Sequence, residues 1–147
     1  LLQPFNCRVL ICDLLDKRGV VDAYGVTQVS LEKLLAEADV LSLHVPFTEL
    51  THFMVNEEFL QKMKPTSYLV NNSRGPVVNL QSLKKALQQK TIAGSALDVY
   101  ESEPPDDLEF LALPNLMVTP HIGGSANEAV LAMGRSAISH IREYFLD

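Results

Sequence analysis

The sequence predicts an α/β protein built on a parallel sheet, and three observations predict it. Short apolar runs that suit buried strands alternate with stretches that suit helices. The helical stretches carry apolar residues at i, i+3, i+4 and i+7. Three polar segments, Asn71 to Gly75, Asp98 to Pro104 and Thr119 to Gly124, each follow one of the apolar runs. That order sets all three at the carboxyl ends of strands, where open α/β sheets bind ligands.

The elements follow in order. Arg8 to Cys12 is the first strand, a short run ending at Asp13, and Val26 to Val29 is the second. Ser30 caps a helix whose stripe is Leu31, Leu34, Leu35 and Ala38. Val40 to His44 is the next strand, stopped by Pro46. Asn56 caps a helix with Glu57 and Glu58 in its first turn, where negative charge suits the helix dipole, and that helix ends at Lys64-Pro65. Ser67 to Val70 is a strand, and Leu80, Leu83, Ala86 and Leu87 line one face of a third helix. Strands at Ile92 to Leu97 and Leu116 to Thr119 flank a turn-rich loop, Pro104 to Asp107. A long helix from Ser125 carries Val130, Met133, Ala137, Ile138, Ile141 and Phe145 on one stripe. The alternation implies helices on both faces of the sheet.

Bulk properties narrow the function. A chain of 147 residues fits one domain, residues 1–147, and can bury a real core. The 47% apolar and 20% charged content excludes disorder as the main state. A net charge of -6 offers no basic patch, so neither nucleic acid nor an anionic membrane is an expected partner. No apolar run approaches the roughly 18 residues that span a bilayer, and no signal peptide is visible. Cys7 and Cys12 lie in or beside one strand, which disfavours a disulfide between them. They read as buried free thiols in a reducing, cytoplasmic compartment. No cluster has metal-ligand spacing. The chain opens Leu1-Leu2-Gln3 and enters structure within a few residues, so it is expected to be a truncated piece of a longer polypeptide.

Asp13 ends the first strand. In dinucleotide-binding folds an acid at the end of the second strand accepts hydrogen bonds from the adenosine ribose and repels a 2′-phosphate, which favours NAD; otherwise it is a loop or capping aspartate. The glycine-rich phosphate cradle, G-x-G-x-x-G, belongs roughly 20 residues upstream and does not occur in the sequence. The expected fold is thus a Rossmann-like doubly wound parallel sheet lacking its first strand and glycine-rich loop. In the order 3-2-1-4-5-6 that strand is central, and its loss leaves two unpaired edges.

Arg74 precedes Gly75-Pro76, and its guanidinium suits a carboxylate; alone it also suits a surface turn. His121 precedes Gly123 and Gly124; an imidazole can deliver a proton to a carbonyl oxygen, or serve merely in turn packing. The two glycines let the backbone lie close to a cofactor ring. A carboxylate on the other ring nitrogen would orient the imidazole. Glu103 and Glu101 both qualify by spacing. Asp98 ends its strand where it could accept from a nicotinamide carboxamide. His44 leads into Val45-Pro46 as a wall of an adenine pocket, and His52 and His140 face solvent.

Cys7 to Asp13, Asp39 to Thr48, Met63 to Val78, Ala93 to Pro104 and Pro114 to Gly124 together resemble the nucleotide-binding domain of the D-isomer-specific 2-hydroxyacid dehydrogenases, the group that includes D-3-phosphoglycerate dehydrogenase and glyoxylate reductase. The resemblance implies Arg74 as substrate anchor, His121 as general acid/base and Glu103 as its partner, since the family acid stands directly before the proline. It implies NAD contacts from Asp13, Val45, Pro46, Asn72, Ser73, Asp98, Gly123 and Gly124, a small 2-oxo or 2-hydroxy acid as substrate, and a homodimer. The family's substrate domain is expected to lie outside this chain. The parent is then an NAD-dependent D-2-hydroxyacid dehydrogenase, with the isolated chain inactive. The rival functions are an NAD(H)-sensing interaction module of the corepressor type and a catalytically inactive fragment.

Overall fold

The computed structural model describes residues 2–21 and 24–146. Two ladders of parallel strands organise it. β1 (Val9–Ile11) pairs with β2 (Val26–Gln28), with the short helix α1 (Arg18–Val21) between them. β3 (Val40–Leu43), β4 (Tyr68–Asn71), β5 (Gly94–Leu97) and β6 (Leu116–Val118) form a four-stranded sheet in that order. The helices α2 (Leu31–Glu37), α3 (Glu57–Gln61), α4 (Leu80–Gln88), α5 (Leu108–Leu111) and α6 (Asn127–Leu146) complete the described residues. The expected alternation is present. The two separate ladders match a doubly wound order in which β1 and β3 lack a common neighbour.

Local chemistry sets the helix starts. Ser30 Oγ accepts from the Lys33 N–H, and Asn56 Oδ1 from the Phe59 N–H at 3.0 Å, so both expected caps form. Two further caps were not foreseen. Asn79 receives the Ser82 N–H at 2.8 Å, and Asp107 receives the Phe110 N–H at 2.9 Å. The second, the last residue of the turn-rich loop, starts α5 directly after it. α3 stops at Gln61, three residues before the expected Lys64, because the chain tightens there through Lys62 N–H to Phe59 and Met63 N–H to Leu60.

The core lies against one face of the four-stranded sheet. In register across it, Leu41 faces Leu69 and Ser95, and Leu43 faces Asn71 and Leu97. All six are buried, together with Phe59 and Leu60 of α3 and Leu83, Ala86 and Leu87 of α4. The other face departs from expectation. Val40, Tyr68 and Met117 lie on it and are more than half exposed, so the described helices do not cover both faces. The stripe on α6 is likewise exposed, from Val130 through Met133, Ile138 and Ile141 to Phe145. That helix does not lay its apolar side on the sheet. The cysteines also depart from expectation: Cys7 and Cys12 are free but exposed. They stand just before and just after β1, where a two-stranded ladder is too narrow to bury them.

Candidate active site at the carboxyl edge of the sheet

Because every strand pair is parallel, the segments after β3, β4, β5 and β6 all leave the same edge. Val45 and Pro46 follow β3, Asn72, Ser73 and Arg74 follow β4, Asp98 to Glu103 follow β5, and Thr119 to Gly124 follow β6. Asp13 leaves the separate β1–β2 ladder at the corresponding end.

The segment after β3 turns on Thr51, whose hydroxyl donates to the Pro46 carbonyl at 2.7 Å and accepts the Thr48 N–H at 2.8 Å. Val45 packs on the core, and Pro46 is exposed. His44 shares a 2.9 Å hydrogen bond with Ser42. His52 is exposed and stacks on Phe53 at 4.0 Å between ring centroids. Phe53 N–H and Val55 N–H donate to Pro76 and Val77, which ties this loop to the one after β4.

The loop after β4 is built round buried Asn71. Its Oδ1 accepts from the Ser73 N–H at 3.1 Å and the Ser73 hydroxyl at 2.9 Å, while its amide donates to the Arg74 carbonyl at 3.0 Å. Asn72 and Arg74 are exposed, and the Arg74 guanidinium donates to Ser73 O at 2.7 Å. Gly75 then passes so close to the next loop that a Cβ there would lie 1.8 Å from the Tyr100 carbonyl oxygen.

Asp98, 9% exposed, gathers the loop after β6. Its Oδ1 accepts the Thr119 hydroxyl at 2.5 Å and the Ile122 N–H at 2.9 Å, and its Oδ2 accepts the Gly123 N–H at 2.8 Å. The Thr119 hydrogen bond, with the two backbone donors, holds its pKa below the ordinary carboxylate value against the opposing effect of burial. A side chain on Gly123 would meet that carboxylate 2.8 Å away. Nothing lies within 4 Å of the Cβ position of Gly124. His121 itself has φ 54°, in the left-handed region that few non-glycine residues adopt. That bend turns the next two N–H groups back onto Asp98.

The bend also presents the imidazole to Glu103. His121 Nδ1 and Glu103 Oε2 are 2.7 Å apart, and Glu103 Oε1 accepts the Tyr100 N–H at 3.1 Å. An ionised carboxylate only accepts, so the shared proton sits on Nδ1. Among the described residues Nε2 has no protein partner. The His121 hydrogen bond first, and the Tyr100 N–H second, lower the Glu103 pKa, which keeps it ionised at neutral pH. Glu101, its rival by spacing, is exposed.

Asp13 is exposed, with Oδ1 accepting the Leu15 N–H at 2.8 Å and Oδ2 uncommitted among the described residues. Gln28, which sequence reasoning missed, organises its loop. Its amide donates to the Leu15 carbonyl at 2.8 Å and accepts the Lys17 N–H at 2.7 Å. The free oxygen of Asp13, the polar Asn72–Ser73 edge and the bare backbone at Gly124 suit a dinucleotide's hydroxyls and flat rings. No group of three or more His, Cys, Asp or Glu among the described residues could hold a metal. Among those residues, too, no helix is long and apolar enough to cross a membrane.

A parallel α/β domain with polar loops gathered on its carboxyl edge is the architecture in which nucleotide cofactors bind. The chain belongs to the D-isomer specific 2-hydroxyacid dehydrogenase family: residues 1–123 match its NAD binding domain. It is 46% identical over 127 residues to a glyoxylate reductase of Korarchaeum cryptofilum, covering 86% of this chain and 38% of that protein. A glyoxylate reductase structure from Paecilomyes thermophila superposes with TM-score 0.88 at 30% identity, over 95% of this chain and 42% of that one. A D-lactate dehydrogenase from Aquifex aeolicus, complexed with NAD and lactic acid, gives TM-score 0.84 at 31% identity, over 97% and 47% of the two chains. The chain therefore spans less than half the length of these relatives.

Proposed function

We propose that this chain is the NAD(H)-binding part of an enzyme that interconverts a small 2-oxo acid and its D-2-hydroxy acid, with the substrate domain supplied by sequence outside residues 1–147. The single observation that carries this reading is the 2.7 Å Glu103–His121 pair on the sheet edge that also bears Arg74. NADH, when bound, supplies the hydride that reduces the substrate's C2. Asp13 accepts from the adenosine ribose. Val45, Pro46, Asn72, Ser73, Gly123 and Gly124 line the remaining cofactor surface. Asp98 acts there chiefly by holding the 119–123 backbone, since both its oxygens are already engaged by that loop.

Arg74 binds the substrate carboxylate through its forked donors. His121, protonated on both nitrogens, gives its Nε2 proton to the carbonyl oxygen as C2 is reduced. Glu103, ionised, accepts from the Nδ1 proton, which stays on the ring, and offsets the imidazolium charge. In the oxidative direction Nε2 takes the hydroxyl proton back. The isolated chain is proposed to be inactive, since it provides one wall of such a site. The reading extends to a homodimer, which the exposed apolar stripe of α6 supports, and to a reducing, cytoplasmic compartment, which the exposed free thiols support. A corepressor-type sensing module is not favoured, because the relatives are reductases and dehydrogenases.

The test is to assay the intact protein with NADH and a panel of 2-oxo acids, then repeat with His121→Asn. A general acid accounts for about 10²- to 10⁴-fold in rate, so kcat should fall by that factor. An unchanged kcat would overturn the assignment.

A further inference from the structure

The Glu103–His121 pair joins two loops that lie 18 residues apart in sequence. Tyr100 bonds to both. Tyr100 donates its backbone N–H to Glu103 Oε1 at 3.1 Å. Its ring, 5% exposed, runs beneath the sheet edge so that the hydroxyl lies 2.9 Å from the Thr119 carbonyl and 3.3 Å from the Leu97 carbonyl. A phenol has one proton to give, and the shorter distance assigns it to Thr119, two residues before His121.

We propose that Tyr100 is a positioning residue of this site, aligning the imidazole and the carboxylate by holding one loop with its backbone and the other with its hydroxyl. The proposal rests on the reading of that pair as the acid–base centre. Asp98 already holds the 119–123 loop from one side, through Thr119, Ile122 and Gly123. The Thr119 N–H also donates to the Leu97 carbonyl at 3.0 Å, and a further attachment narrows the swing that remains. The hydroxyl supplies that further attachment, on the Thr119 carbonyl. Its main chain packs directly on the loop after β4, the carbonyl oxygen lying where a Cβ on Gly75 would be. Burial raises the phenol's pKa, which keeps it a donor throughout the working range. Phenylalanine would fill the same volume but leave the Thr119 carbonyl without this bond.

The test compares the intact protein with its Tyr100→Phe variant by long-range 1H–15N NMR of labelled histidine at alkaline pH, the His121 signals being assigned by their loss in His121→Asn. In the parent, His121 should be held as the Nδ1–H tautomer by Glu103. In Tyr100→Phe it should shift measurably toward Nε2–H, and kcat should fall about three- to tenfold, the weight of one hydrogen bond, with the KM for NADH unchanged. Placing 4-aminophenylalanine at position 100, which restores a donor, should recover both. A variant with parental tautomer ratio and kcat would overturn the proposal, as would a drop in melting temperature with neither readout moved. Should Tyr100→Phe fail to fold, the 4-aminophenylalanine protein decides alone: a parental tautomer supports the proposal and a shifted one overturns it. An intact protein inactive on every 2-oxo acid would sink the functional reading, and the tautomer ratio would still decide the alignment.

Discussion

The four-stranded sheet and the two-stranded ladder use similar apolar residues, yet they differ in what they bury. Strand β4 alternates exposed and buried residues and seals Leu69 completely; β1 leaves Val9, Leu10 and Ile11 all half-buried. The loops follow suit. The segments after β5 and β6 bond to one another through Asp98, Tyr100 and Glu103, and the Asp98 N–H donates to the Asn71 carbonyl at the end of β4. The Asp13 loop is held from its own ladder by Gln28. The acid–base half of the proposed site is thus assembled by contacts within residues 39–124, and the ribose-binding half stands on a far thinner support.

The largest expected effect breaks this contrast at the core. Leu83→Ala, at a fully buried position of α4, should cost about 2–5 kcal/mol of unfolding free energy. Leu10→Ala in β1 should cost well under half as much, and urea titrations of both variants compare them directly. Equal losses would show the ladder to be as well supported as the sheet. Next, Gly75→Ala should cost about 3 kcal/mol, the upper end for overpacking, because its Cβ would strike the Tyr100 main chain rather than a movable side chain.

Asp98→Asn comes third, at about 1.5–3 kcal/mol for hydrogen bonds to a charged acceptor, and it carries a pH signature. The folded-state pKa of Asp98 is lowered. Its contribution is therefore complete above the unfolded carboxylate pKa, near 3.8, and is lost as pH falls through the lower folded value. The stability gap between parent and variant should accordingly be widest near neutrality and close in acid, as read by thermal melts across pH. The smallest effect sharpens the comparison. Arg8, beside β1, reaches Glu37 of α2 at 2.5 Å, the arginine exposed and the glutamate half-buried. Arg8→Ala should change stability by about 0–1 kcal/mol, and less in high salt.

Much of this was legible in the residues. The strands announced themselves as apolar runs, and Ser30 and Asn56 announced their helices because capping is a local exchange between one side chain and one N–H three residues on. His121 was legible as a candidate from its own chemistry, whereas Glu103 was legible through family resemblance, not through spacing, which left Glu101 equally eligible. Tyr100 and Gly75 were not legible. Their roles depend on how closely two loops from different strands approach, and no local pattern encodes that distance. The cysteines and the bare face of the sheet were misjudged for a related reason: an apolar run reports what can be buried, whereas burial depends on what is there to cover it.

The left-handed backbone at His121 has a consequence for anyone probing the site by mutation. A residue at φ 54° that bears a β-branched side chain is strained before its chemistry is considered. Valine or threonine at this position would report backbone distress and lost proton transfer as one number. Asparagine, which tolerates this conformation far better than most residues, removes the acid while leaving the path of the chain intact. The geometry of the peptide thereby selects which knockouts can be interpreted.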